Sequence, residues 1–240
     1  MRLALAVTML DEMECVQLTL AKVGKKFAHI EIVQSGEPLH LEIEQSILAH
    51  KSANYVCLPD LDTRSDEEKA GKGERFDVGA RAQSRNYSAA FGAIGAVMRG
   101  GKKIDYVVGT HGDTAIVHMY GIEWIIDKMK KAKADIGVSR AMGQDLHAAT
   151  LTREQMADPD HPKGGRLQDA TNKDFMPQFF VAKSTLVERL SCIEVTNSWC
   201  MEQCIGDAIG DAVEFVFSKT AYGFADGIIY HIPSPRGWKH

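Results

Sequence analysis

Leu3 to Leu10 is a short, nearly continuous apolar run, the pattern of a strand buried on both faces. Asp11 then opens a helical pattern in which Met13, Val16, Leu20, Val23 and Phe27 recur at three- and four-residue steps. Asp11, Glu12 and Glu14 put negative charge at its start, and Lys22, Lys25 and Lys26 put positive charge at its end, as the helix dipole favours. Ala28 to Val33 predicts a second strand, halted by Gln34-Ser35-Gly36-Glu37-Pro38. Leu41 to His50 predicts a helix and Asn54 to Leu58 a short strand. Strand–helix–strand–helix–strand in sixty residues implies a parallel sheet with helices on its faces.

Pro59 to Asp77 breaks the pattern with eleven charges and predicts an exposed loop. Ala80 to Arg99 returns to helical spacing and is rich in Ala and Gly, small enough to let a helix sit close to the sheet. Lys103 to Gly109 predicts a strand that ends in the polar turn Thr110-His111-Gly112-Asp113-Thr114. Ile122, Ile125, Ile126 and Met129 mark a helix that finishes among Lys128, Lys130, Lys131 and Lys133, and Ile136 to Ser139 predicts a strand. Gly143 to Asp174 has no periodicity, and such length without structure in a compact domain points to function or mobility. Phe175 to Val187 predicts a strand entering a short helix. Trp199 to Phe217 predicts a helix with Ile205, Ile209, Val213 and Val216 on one face, and Ile228 to Tyr230 a last strand.

Composition narrows the class. The 240 residues are 45% hydrophobic and 25% charged, near the average of soluble globular proteins. A net charge of −4 argues against a protein built for non-specific nucleic-acid binding, which wants a basic face. No apolar run approaches the roughly 18–20 residues needed to cross a bilayer. The amino terminus reads as a buried strand with no small-residue cleavage site, not as a signal peptide. Five scattered cysteines fit reduced thiols and a cytoplasmic protein. Cys200 and Cys204 lie one helical turn apart near Cys192, but without a Cys-x-x-Cys pair or a spaced His they predict buried thiols, not zinc.

The richest segment is Asp105-Tyr-Val-Val-Gly-Thr-His-Gly-Asp113, a hydrophobic strand delivering a polar turn with an acid at its end. Ligands of open α/β sheets bind beyond the carboxyl ends of strands. An Asp there can ligate a hard divalent cation, or it can cap the next turn. Arg81 and Arg85 can pair with phosphate through their planar forks, or face solvent. Thr8, at the end of the first strand, and Ser35, after the second, can meet a base or ribose, or cap turns. Gly109 to Asp113 is also similar to the Gly-x-His-Gly-Asp segment of lactate and malate dehydrogenases. Those enzymes need a glycine-rich dinucleotide turn after the first strand, where this chain has Thr8-Met9-Leu10-Asp11.

In the order of its parts the chain resembles glycosyltransferases of the GT-A fold. Ala80-Arg-Ala-Gln-Ser-Arg85-Asn86 resembles the helix segment that precedes their Asp-x-Asp strand, and His111-Gly112-Asp113 stands where Asp-x-Asp would. Met176 to Lys183 is similar to the strand flooring the acceptor site, and Trp199-Cys-Met-Glu202-Gln203 to the x-Glu-Asp motif that opens a helix. His231 lies where the family has a late metal-binding His.

The resemblance implies one α/β domain over 1–240, a mostly parallel central sheet flanked by helices. A Rossmann-like nucleotide-donor half (1–113) would be fused to an acceptor half (114–240). It implies sugar transfer from a nucleotide-sugar donor to a hydroxyl, with Mn2+ or Mg2+ on Asp113 and His231. Thr8, Ser35, Arg81, Arg85, His111 and Gly112 would line the donor, and Glu202 or Asp207 would serve as the catalytic base. His111 replaces the first acid of Asp-x-Asp and Gln203 the second acid of x-Glu-Asp, which leaves metal use and inverting or retaining outcome open. The acceptor (glycan, lipid, protein or modified nucleobase) and the oligomeric state are also open. The alternatives are a sugar nucleotidyltransferase, whose glycine-rich loop after the first strand is missing, a catalytically silent partner module, and a dehydrogenase.

Overall fold

A computed structural model of the chain describes residues 1–9, 13–59, 75–112, 114–116, 118–139, 169–170, 179–193, 215–218 and 229–231. At residues 14, 75–81, 138–139, 169–170, 215–218 and 229–231 the description is of backbone alone.

The chain opens with β1 (Leu3–Met9), every residue of which is buried. α1 (Met13–Val23) follows, then a short 3-10 turn and β2 (Phe27–Ser35). α2 (Leu41–Leu48) leads to β3 (Ala53–Leu58), and the long α3 (Arg75–Arg99) to β4 (Tyr106–His111). The short β5 (Thr114–Ile116), α4 (Tyr120–Ala132) and β6 (Ile136–Ser139) come next. β7 (Asp169–Ala170), β8 (Phe179–Lys183), α5 (Val187–Leu190), β9 (Phe215–Ser218) and β10 (Ile229–His231) complete the described elements.

Eight strands form one sheet in the order β3-β2-β1-β4-β8-β6-β9-β7. β1 to β4 are parallel, β8 is inserted antiparallel between β4 and β6, and β6 and β9 run parallel to each other. β5 and β10 form a separate two-stranded antiparallel sheet. It is tied to α1, where the Thr19 hydroxyl accepts the Ile116 amide at 2.9 Å.

The large sheet has two unlike faces. Leu3, Leu5, Val7 and Met9 of β1 point into an aliphatic core with residues of α1, α2 and α4. Ala4 and Ala6 point the other way, into a core with α3 and α5 that also holds Tyr87, Phe91 and Phe180. The alternation follows from the two-residue period of a strand. The small side chains of β1 and the Ala-rich stretch of α3 suit each other, because a helix approaches a sheet closely only where neither carries bulk. Gly109 of β4 belongs to this face, where a Cβ would collide with Phe180 Cε1.

Several elements differ from their sequence expectation. Phe27 shares the helical spacing of α1 but opens β2, because the turn at Gly24–Lys26 ends the helix first. α3 begins at Arg75, inside the segment expected to be a loop; its charges hide the periodicity, and Asp77 suits the positive end of a helix. β4 runs on through Thr110 and His111, which were expected in a turn, because both pair with neighbouring strands. Phe215 to Phe217, expected to finish a helix, lie in β9, since three successive bulky apolar residues suit a strand better than one helix face. β5 and β7 are too short to leave a period in the sequence. The rest of the expected helix from Trp199 and most of Gly143 to Asp174 lie outside the described residues.

Candidate functional site

The carboxyl ends of β1, β2, β3 and β4 gather at one edge of the sheet, and most of the described candidates lie there. Ser35, the last residue of β2, is buried. Its hydroxyl donates to Asn86 Oδ1 of α3 at 2.8 Å and accepts from Arg85 Nη2 at 2.9 Å. The same Arg85 nitrogen donates to the Pro59 carbonyl, just beyond β3, at 2.6 Å. One guanidinium thus fastens α3 to the ends of two strands and holds a positive charge at this edge. Arg81 lies four residues earlier on α3, one turn away and on the same side, with only its backbone described.

Thr8 is the register partner of both Val33 and His111. It is 3% exposed, and its Oγ1 has no hydrogen-bond partner among the described residues. Its carbonyl accepts the Gly112 amide at 2.7 Å, which pins the segment after β4 to the end of β1. His111 is 8% exposed and lies 5.8 Å from the Tyr87 ring, centroid to centroid. Ser84 of α3 is fully buried, and its hydroxyl likewise lacks a partner among the described residues.

Asp113 lies outside the described residues, but its neighbours on both sides are placed. Gly112 is held by Thr8, and Thr114 begins β5 as the register partner of His231 in β10. The chain therefore brings the backbone of His231 beside the residue that follows Asp113. Glu202 and Asp207 lie outside the described residues.

A second cluster lies at the same edge, on the other face of the sheet from Ser35. The Tyr55 hydroxyl of β3 donates to Gln34 Oε1 and accepts the Leu39 amide at 3.2 Å. Gln34 Nε2 donates to the Glu37 carbonyl at 2.9 Å. Burial raises the Tyr55 pKa above its ordinary value of 10.0, against a lowering by the Leu39 amide. Asn86, Gln34 and Tyr55 were not singled out from sequence. Asn86 sits inside the Ala-Arg-Asn-type segment, and that position alone was a signal. Gln34 and Tyr55 meet only through strand pairing and carry no local signature.

No protein-family model matches the chain, and no curated protein matches its sequence. Among solved structures it is similar to the mannosyltransferase PcManGT from Pyrobaculum calidifontis, solved in complex with GDP-Man and Mn2+. The TM-score is 0.54 at 10% identity, over 98% of this chain and 58% of that one. The fold is similar to the GT-A fold. A CMP:2-keto-3-deoxy-manno-octonic acid synthetase complexed with CTP also aligns, at 9% identity and a TM-score of 0.43, over 95% of this chain and 93% of that one. At such identities the likeness is one of fold. Among the described residues no helix is long and apolar enough to cross a membrane.

Proposed function

We propose that the chain is a glycosyltransferase that moves a sugar from a nucleotide-sugar donor to an acceptor hydroxyl. Residues 1–113 would hold the donor and 114–240 the acceptor. The observation that carries the reading is the pairing of Thr114 with His231. Paired residues of an antiparallel ladder lie about 4.5–5.5 Å apart at Cα, so the backbone of residue 231 lies beside the residue that follows Asp113. A carboxylate and an imidazole are ordinary ligands for a divalent ion such as Mn2+, and the neighbour PcManGT was solved with that ion and GDP-Man. Asp113 and His231 would hold the metal, which would supply charge stabilisation to a departing diphosphate.

The chain's own groups fill the remaining roles. Arg85, anchored through Ser35 and Pro59, places fixed positive charge where a phosphate would lie, and Arg81 adds a second cation one turn away. The buried Thr8 hydroxyl offers a hydrogen bond to the base or ribose. Gly112, the residue before Asp113, is held by the Thr8 carbonyl. Glu202 or Asp207 would take the acceptor proton. The His at 111 and the Gln at 203 favour a second reading, in which the same fold binds a nucleotide without transferring its sugar.

Calorimetric titration with a panel of nucleoside diphosphates, with and without manganese, tests the first reading. A transferase binds one base selectively and more tightly with the metal. Donor hydrolysis is then compared between the wild type and Asp113→Ala. Loss of at least about a hundredfold is expected, the scale of removing one preorganised charge-stabilising group. Undiminished hydrolysis in an active preparation overturns the reading. Binding without hydrolysis selects the silent module, and pyrophosphate release from a nucleoside triphosphate plus a sugar 1-phosphate selects a nucleotidyltransferase.

A further inference from the structure

We propose that the opposite edge of the large sheet, where the parallel strands begin, is a docking surface for an anionic lipid bilayer. The inference rests on charge placement and is independent of the transferase reading.

Each parallel strand that starts at this edge, β9 aside, is led in by cations. Arg2 precedes β1, Lys25 and Lys26 precede β2, and Lys51 precedes β3. Lys102 and Lys103 lead into β4, and Lys130, Lys131 and Lys133 into β6. Lys183 ends the antiparallel β8 at the same edge, since Ala182 pairs with both Val107 and Ile136. These ten are drawn from only 28 Lys and Arg in an acidic chain, and the same segments hold two of its 32 Asp and Glu. Those two acids, Asp105 and Asp135, are engaged by the Arg2 amide at 2.7 Å and by Lys183 Nζ. Arg99, at the end of α3, is matched by Glu188 at 4.0 Å. The other nine cations of the ten are exposed; only Lys183 is half-buried.

Helix dipoles explain part of this distribution, because a helix end favours cations within its last turn. They do not explain Arg2, Lys51, Lys102, Lys103 or Lys183, which stand outside any last turn. The strand starts of one sheet lie about 4.8 Å apart, so the cations spread in a row rather than line a groove. Nine of the ten are Lys, the residue of diffuse charge attraction, not Arg, the residue of bidentate phosphate and base contacts. Two exposed apolar side chains join them, Met1 (61% exposed) and Leu48 (46% exposed). Basic residues with apolar side chains among them suit an anionic membrane surface better than a nucleic acid. A hollow of about 500 Å3 opens within the edge, lined by Met1, Asp105, Tyr106, Lys130, Lys183, Ser184 and Thr185. The candidate site lies at the far end of the strands, about 20–25 Å away for strands of this length, and faces away from the docked bilayer.

The test is cosedimentation of the full chain with vesicles of phosphatidylcholine, alone or with one-third phosphatidylserine. Binding is expected only to the anionic vesicles at about 0.1 M salt, and release at about 0.5 M. A lysine at such a surface contributes about fivefold in partition. The variant Lys25→Ala/Lys26→Ala/Lys102→Ala/Lys103→Ala should therefore lose at least about a hundredfold, with unchanged circular dichroism and melting. Three results overturn the proposal. They are equal binding to neutral and anionic vesicles (none to either included), equal binding by wild type and variant, and a short DNA duplex that competes the chain off the vesicles at equal phosphate.

Discussion

The two faces of the large sheet are covered by helices in different ways. Under α1, α2 and α4 the sheet is mostly aliphatic, with Leu5, Ile30, Ile32, Val108 and Val181 fully buried beside Phe27 and Phe179. Under α3 and α5 it alternates small residues, aromatic rings and polar groups: Ala4, Ala6, Gly109 and Phe180, then Thr8, His111 and Ser35 toward the carboxyl edge. This face also buries His29 against Glu31 at 3.0 Å. The first face supplies stability through burial of apolar area. The second lets α3 lie close enough for Asn86 and Arg85 to reach the strand ends, and the candidate site grows out of that close approach.

The largest way to break this division is on the aliphatic face. Leu5→Ala removes a fully buried side chain and should cost about 2–5 kcal/mol in urea unfolding, while nucleotide affinity measured on the folded fraction stays within about twofold, since Leu5 faces away from the site. Gly109→Ala tests the other face by overpacking. It forces a Cβ onto the Phe180 ring and should cost about 1–3 kcal/mol. Phe180→Leu should recover part of that loss in the double variant, a coupling that a double-mutant cycle reads directly. A cost for Gly109→Ala no greater than that of a surface substitution would show that this face has slack and that the close approach of α3 is not needed.

Ser35→Ala removes the hydroxyl shared by Asn86 and Arg85. It should cost about 1 kcal/mol in stability and, under the transferase reading, weaken nucleoside diphosphate binding more than tenfold. Loss of stability with unchanged affinity would reduce the cluster to a structural tie. The smallest effect belongs to Tyr55. Its raised pKa means the folded state holds the phenol proton more tightly than the unfolded chain, so the contribution is complete below about pH 10 and is lost as pH rises through the folded value. Tyr55→Phe should flatten the alkaline arm of stability against pH and leave the neutral region nearly unchanged.

Much of the first half of the fold was legible in the sequence. β1 announces itself as an unbroken apolar run, and β2, β3, α2 and α4 each show their period within a residue or a few. β5 and β7 could not be read this way, because two or three residues carry no period, whereas β10 shows as the apolar run Ile228 to Tyr230. β9 was mistaken because Val213 and Val216 fit a helical stripe, and only pairing with β6 decides otherwise. The candidate site divides similarly. Ser35, Arg85 and His111 lie at strand ends or on the helix above them, where linear order is informative. The Gln34–Tyr55 pair depends on the register of β2 against β3, which no local motif encodes.

The small β5–β10 ladder joins positions more than a hundred residues apart in the chain. Closing so long a loop carries an entropic cost that local helices and hairpins avoid. The ladder should therefore form late, after β1 to β4 have already assembled. A nascent chain would fold β1 to β4 first and gain the partner strand for residue 114 only when residues 229–231 return to it.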